Sequence, residues 1–258
     1  VKLEAKEGVA LNNGTQFMTA IGALAVYDAE RLVETAEAAA ALSLEALKGI
    51  SDAFDERIHT IRPHGGQVKT ARDIRSLFAG SKIILASEKA AKAGMYPQDA
   101  YSLRCMQVLG CVRDAVAYVK KVVETEANSA TDNPLVFGED SACLSGGNFH
   151  GQPVSLALDF LGMALTTMGN MSERRMARMI DENSSKGLPP FLISQEAKRG
   201  IESGFMALQY TAASLTSENK ALSHPASVDS IPTSANFEDF VSMGPIAARK
   251  AADVLRNV

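Results

Sequence analysis

The sequence predicts an all-α fold, a bundle of long helices. Three observations lead there. Residues 17–47 contain no proline and one glycine, and are filled with Ala, Leu and Glu, which are strong helix formers. Comparable stretches recur at about residues 98–126, 151–180, 195–221 and 237–257. Few segments alternate with period two, so β structure is expected to be sparse.

The first helix is expected to stop at Gly49. About thirty helical residues span roughly 45 Å. Residues 154–171 are apolar enough to raise a membrane span. Asp159 near the middle, with Thr166, Thr167 and Asn170, places that segment in a protein core instead. A central Asp costs a few kcal/mol in lipid. The last helix is expected to begin around Glu238 and Asp239, where acids complement the helix dipole. Long, alanine-rich helices pack side by side. Their apolar faces exceed what one chain covers, which predicts a homo-oligomer. Residues 1–258 read as one helical domain, with no internal repeat, low-complexity tract or linker.

Composition narrows the function. Of the 258 residues, 46% are hydrophobic and 22% charged, which fits a globular protein and argues against disorder. The net charge of -4 leaves no basic footprint for nucleic acid. Three cysteines (Cys105, Cys111, Cys143) are an odd count without paired spacing, which points to a reducing cytoplasm. Four histidines (His59, His64, His150, His224) show no zinc spacing, so no metal is expected.

The loops between the helices carry the polar residues. They read KEGVALNNGTQ, HTIRPHGGQ, NSATDNPLVF, LSGGNFHGQP, SSKGLPPF and HPASVDSIPTSANFED. Turns and caps account for such residues one by one. Loops held by rigid helices also suit a site. In QDAYSLRC, Gln98, Tyr101 and Arg104 are spaced i, i+3, i+6 and form a slanted polar stripe on a helix. Its guanidinium can grip a carboxylate and its phenol can exchange a proton, although a solvated face has the same spacing. SGGNFHGQP lacks the Gly-Lys-Ser/Thr of a phosphate loop. The Asn-Gly of NNGTQ reads equally as a plain turn.

As an ordered set, KEGVALNNGTQ, RPHGGQ, QDAYSLRC, ETEANSATDNPLVF, SGGNFHGQP, ERRMARMIDE, GLPPFL and ENKALSHPASVDSIPTSA with EDFVSMG resemble the aromatic amino-acid ammonia-lyase family. The resemblance runs along nearly the whole chain and is nearest to the histidine-specific members. It implies a helical fold like that of the fumarase/aspartase-like lyases. It implies a cytoplasmic homotetramer acting on a small amino acid, without nucleic acid, membrane or metal. The implied reaction removes ammonia from an aromatic α-amino acid, foremost L-histidine to trans-urocanate. The implied cofactor is methylidene-imidazolone (MIO), an electrophile made from an Ala-Ser-Gly triplet. That triplet does not occur here; Ala86-Ser87, Ala213-Ser214 and Ala226-Ser227 are followed by Glu88, Leu215 and Val228. The chain therefore resembles a middle fragment, with the missing N-terminal segment supplied upstream or as a separate chain.

Residue by residue, Asn13 is similar to the Asn that neighbours the electrophile and the amino group. Gln98 and Tyr101 resemble the site Gln and Tyr, with Tyr101 among the catalytic groups. Arg104 resembles the Arg that holds the substrate carboxylate, and Phe149 the Phe packed beside the electrophile. Glu238 resembles the acid that contacts the imidazole and serves as a base. Two departures keep other substrates open. Phe237-Glu238-Asp239-Phe240 stands where Gln-Glu-Asp-His is usual, and Leu109 stands where a His is common. Burial of Glu238 between Phe237 and Phe240 is expected to bring its pKa toward working pH. A tyrosine or phenylalanine lyase, an aminomutase and a non-catalytic helical assembly core are the alternatives.

Overall fold

The structure, a computed structural model, describes residues 1–95, 106–194, 196, 198 and 200–258. Its helices are α1 (Glu7–Asn12), α2 (Gln16–Ala46), α3 (Glu56–Thr60), α4 (Gly65–Leu77), α5 (Lys82–Lys92), α6 (Met106–Ala127), α7 (Gln152–Ile180), α8 (Met206–Leu222) and α9 (Gly244–Asn257). The one sheet among the described residues is a hairpin of β1 (Leu135–Phe137) and β2 (Ala142–Leu144). Its strands are antiparallel, with Leu135 opposite Leu144 and Phe137 opposite Ala142. The all-α expectation holds.

α2 ends where the sequence says, but by a different residue. Lys48 takes the left-handed conformation, with φ 52°. Its N–H bonds Glu45 O at 3.0 Å and the Gly49 N–H bonds Leu44 O at 2.8 Å. This is the Schellman closure, and it satisfies the last carbonyls of the helix. Gly49 is needed for close approach, since a Cβ there would lie 2.1 Å from Leu44 Cδ1.

Two helices start later than expected. α8 begins at Met206, not near 195, because Gly204 turns left-handed and the Phe205 N–H bonds Phe191 O at 2.9 Å. α9 begins at Gly244, with Pro245 in its first turn, where a missing N–H costs nothing. Glu238 and Asp239 therefore lie outside α9 and do not cap it. Residues 98–105 of the 98–126 stretch lie outside the described residues. α4 and α5 fill a region to which periodicity assigns no helix.

The chain divides into two compact units, each described by itself. Unit 1 comprises Val1–Ala29, Ala115–Met163 and Ala221–Arg256. Val154, Ala157, Leu158 and Leu161 of α7 are fully buried at i, i+3, i+4, i+7, the spacing of one helix face. Ala247, Ala248, Ala251 and Val254 do the same for α9. Small residues let backbones close up here. A Cβ on Gly22 would sit 3.2 Å from Leu158 Cδ2 and 3.3 Å from Val123 Cγ2. Asp159, the polar residue inside the apolar run, is buried, and its Oδ2 accepts the Ser227 N–H at 2.7 Å.

Unit 2 comprises Glu30–Asp114, Ala164–Lys220 and Asn257–Val258. α4 packs on α6 through glycines. A Cβ on Gly66 would lie 2.0 Å from Gly110 O, and one on Gly110 would lie 2.4 Å from Gln67 Cα. Around that contact sits a buried polar network. Glu37 accepts Thr70 Oγ1 at 2.6 Å and Arg113 Nη2 at 2.6 Å. His59 is also structural: its ring nitrogens pair with Ala53 O and Gln67 Nε2, each at 3.0 Å. No helix among the described residues is long and apolar enough to cross a membrane.

Candidate active site

Unit 1 gathers four of the motif loops into one hydrogen-bonded cluster. The β1–β2 hairpin is the centre, because it joins the TDNP loop to the SGGNFHG loop. At its base the Gly146 N–H donates to Asn133 Oδ1 at 2.9 Å, and Asn148 Nδ2 donates to Ala130 O at 3.3 Å. These bonds fix where Phe149 leaves the loop.

The Asn13 turn docks on the other side of TDNP. Gly14 has φ 131°, a region other residues avoid, and its Cα lies so near Thr131 that an added Cβ would meet Thr131 O at 2.9 Å. Lys6 pairs with Asp132 at 2.9 Å and also donates to Pro134 O. That Lys6 hydrogen bond, followed by the Asn133 N–H, holds the Asp132 carboxyl below the usual carboxylate range.

The fourth loop arrives from the far end of the chain. The His150 ring pairs with Phe240 O at 3.0 Å through Nε2 and accepts the Gln152 N–H at 3.3 Å through Nδ1. It also stacks on the Phe240 ring, with centroids 6.1 Å apart and planes 16° apart. Gln152 Nε2 donates to Ser227 O at 2.8 Å. Beneath this junction Met18 is wedged between two helix starts. A Cβ on Gly151 or on Gly244 would lie 2.3 Å from Met18 Sδ.

Glu238 sits in a tight turn. Thr233 and Glu238 form an antiparallel bridge, with N–H···O distances of 3.0 and 3.3 Å. Of the four residues between them, Ser234, Ala235 and Asn236 have φ of 52°, 57° and 68°. Three successive left-handed residues without glycine store strain, a feature of functional loops. Thr233 Oγ1 donates to Glu238 Oε2. The expected burial of Glu238 is overturned. Glu238 is exposed, and its neighbours Phe237 and Phe240 are 91% and 57% exposed. Phe237 stands open to solvent and the Phe240 ring stacks on His150, so the two do not bury the carboxylate between them.

Three of the six candidate residues, Asn13, Phe149 and Glu238, thus lie on loops of one cluster, and all three are exposed. Gln98, Tyr101 and Arg104 lie outside the described residues. Sequence reasoning missed His150, Asn133, Lys6, Asp132 and Met18. The Asn in TDNP and the His in NFHG are visible signals, but their partners are backbone groups far along the chain. No group of His, Cys, Asp and Glu suited to a metal occurs among the described residues.

This geometry agrees with what the chain is similar to. The family model for aromatic amino acid lyases matches residues 1–258. The histidine ammonia-lyase of Caldanaerobacter subterraneus subsp. tengcongensis is 55% identical over 100% of this chain and 49% of its own length. Among solved structures, histidine ammonia-lyase from Trypanosoma cruzi superposes with TM-score 0.86 and 44% identity, covering 100% of this chain and 47% of that one. Tyrosine aminomutase from Streptomyces globisporus gives TM-score 0.91 and 41% identity, covering 100% and 51%. The chain spans about half the length of the curated relatives it matches, 49% for the first of them. With the family's loops gathered in one cluster and its model matched from end to end, the chain belongs to the aromatic amino acid lyases.

Proposed function

We propose that this chain is part of a histidine ammonia-lyase, and that the whole protein converts L-histidine to trans-urocanate and ammonia. The observation that carries the reading is 55% identity to a histidine ammonia-lyase along the full chain. The retained Glu238 supports the histidine substrate.

The family's MIO electrophile would come from outside these residues, since no Ala-Ser-Gly occurs among them. The residues present fit such a group. Gly146 and Gly147 open onto free space, with nothing within 4 Å of an added Cβ. Phe149 is 38% exposed beside them, and the Asn13 turn flanks the same hairpin. When bound, the group draws electrons from the substrate amine and turns it into a leaving group. This chain's residues do the rest. Asn13 offers an amide to the amino group. Phe149 walls the substrate ring and excludes water. By the family resemblance, Arg104 binds the carboxylate, Gln98 the substrate, and Tyr101 acts in catalysis. Glu238 takes the β-proton.

Exposed apolar side chains on α2 and α7, among them Phe17, Leu24, Leu156 and Phe160, support a homotetramer. A monomeric mass in solution would count against it. A cytoplasmic location fits the proposed metabolic role.

The test is Glu238→Gln in the full-length protein, followed by urocanate absorbance. A loss of about 100-fold or more in kcat is expected of a general base. Unchanged turnover would remove Glu238 from the mechanism. The likeness to tyrosine aminomutase keeps a second reading open. Incubation with histidine, tyrosine and phenylalanine separates the two, since an aminomutase returns a β-amino acid. The chain assayed alone should be inactive, as an assembly core without its electrophile would be.

A further inference from the structure

We infer that His150 is a positioning residue: it holds the backbone of the 237–240 loop, and through it Glu238, against the loop that carries Phe149. The inference rests on the reading of Glu238 as the site base. Four observations on one ring support it. Nδ1 accepts the Gln152 N–H at 3.3 Å, which leaves Nε2 as the protonated nitrogen. Nε2–H then donates to Phe240 O at 3.0 Å, a bond across 90 residues of sequence. The imidazole stacks on the Phe240 ring. His150 is half-buried, whereas its neighbour Phe149 and the residues from Phe237 to Phe240 are exposed.

The 237–240 loop has few other holds. Val241 N–H donates to Ser230 Oγ at 2.8 Å, and the Thr233–Glu238 bridge is internal to the loop's own turn. Gln152 Nε2 also joins the two loops at Ser227 O, but the His150 bond is the one that reaches the 237–240 segment itself. Phe149 is one residue from His150 and Glu238 is two from Phe240. One neutral imidazole thus sets the separation between the wall of the site and its base.

Releasing that link moves the carboxylate while leaving substrate contacts elsewhere in place. A misplacement of about 1 Å can cost on the order of 100-fold in rate. The effect falls on kcat, because the base acts on the transition state and not on binding.

The experiment is a double-mutant cycle in the full-length protein. His150→Leu is expected to lower kcat about 10- to 100-fold with KM within about 3-fold. In the Glu238→Gln background the same change should cost less than about 2-fold further, since the misplaced base is already gone. If Glu238→Gln slows turnover and His150→Leu multiplies that loss by its full factor, the inference is overturned and the Glu238 assignment stands. If Glu238→Gln alone changes nothing, the assignment falls and the inference falls with it. Should His150→Leu not fold, by loss of helical circular dichroism, two milder variants replace it. Gln places an N–H near Nε2 and keeps the bond to Phe240 O; Asn places its amide near Nδ1 and loses it. A higher kcat for His150→Gln than for His150→Asn is expected, and equal values overturn the inference.

Discussion

Gly110→Ala should destabilise the protein although it improves a helix. Gly110 lies within α6, where Ala is favoured over Gly by about 1 kcal/mol. Propensity alone therefore predicts stabilisation. The packing predicts the opposite. A Cβ on Gly110 would lie 2.4 Å from both N and Cα of Gln67 and 2.7 Å from C of Gly66. Those are backbone atoms of α4, and no rotamer change relieves them. Carbon atoms sit best about 3.5–4.0 Å apart, so α4 must retreat by about 1 Å. Overpacking of this kind costs about 1–3 kcal/mol. The retreat also stretches the bond from the Gly66 N–H to Asp114 Oδ1, now 2.7 Å, beyond hydrogen-bonding reach. A bond to a charged group contributes about 1.5–3 kcal/mol. Less the propensity gain, the net loss is about 1.5–5 kcal/mol. At roughly 2–4 °C per kcal/mol for a chain of this size, Tm falls by about 3–20 °C. Thermal unfolding followed by circular dichroism reads it. Gly138→Ala is the control, because nothing lies within 4 Å of its added Cβ and it should stay within about 0.5 kcal/mol of the parent. A Tm for Gly110→Ala equal to or above the parent value would refute the close approach of α4 and α6.

Asp159→Ala leaves the buried Ser227 N–H without its acceptor and should cost about 2–3 kcal/mol in urea unfolding. Glu37→Ala leaves Arg113, 17% exposed, with only its longer 3.8 Å contact to Asp73; about 3 kcal/mol should be lost, and a smaller effect than Gly138→Ala would deny the network any role. Lys6→Met tests acid stability. The Asp132 carboxyl is held low by Lys6, so its contribution is complete above the ordinary carboxylate range and disappears as pH falls through the lowered value. Without Lys6 that value rises, and the acid-unfolding midpoint should move to higher pH. Ala235→Gly relieves a left-handed residue with φ 57° and should raise stability by about 1 kcal/mol, with no change in Tm counting against strain in that turn.

Which parts of this were legible in the sequence follows from what each part is made of. α2 and α7 announce themselves, because continuous Ala and Leu leave a helix no competitor. α4 hides, because its buried face is Gly66, Gln67, Thr70, Ala71 and Ile74, and three of those five carry no apolar signal. The start of α8 was misplaced because a left-handed Gly204 and a backbone bond to Phe191 override the propensity of residues 200–205. Motifs pointed to Asn13, Phe149 and Glu238, and the structure brings their loops into one cluster. The exposure of Glu238 was not legible, because apolar neighbours in sequence do not imply an apolar environment: Phe237 is 91% exposed. The His150 link was invisible for a simpler reason. Its partner is a carbonyl, and every residue has one.

That last point bears on the two departures around Glu238. A Phe where His is usual, and a Phe where Gln is usual, look at first like a rebuilt pocket and a different substrate. In the structure Phe240 contributes its backbone oxygen and the face of its ring to His150. Any residue at that position supplies the oxygen, and an imidazole would stack as a phenyl ring does. Phe237 makes its backbone turn through an N–H bond to Ser234 O at 3.1 Å, while its ring stands in the open. Neither ring reaches the carboxylate, whose bonded partner is Thr233. The carboxylate proposed as the base and the way its loop is held are thus separable from the side chains that flank it. Substitution at 237 and 240 leaves both intact, so these two positions weigh little against histidine as the substrate. Phe240→His should accordingly leave kcat on histidine within about 2-fold of the parent, as for surface changes that spare the packed contacts. A switch of preferred substrate on that single change would show that the ring, and not the carbonyl, is what the site uses.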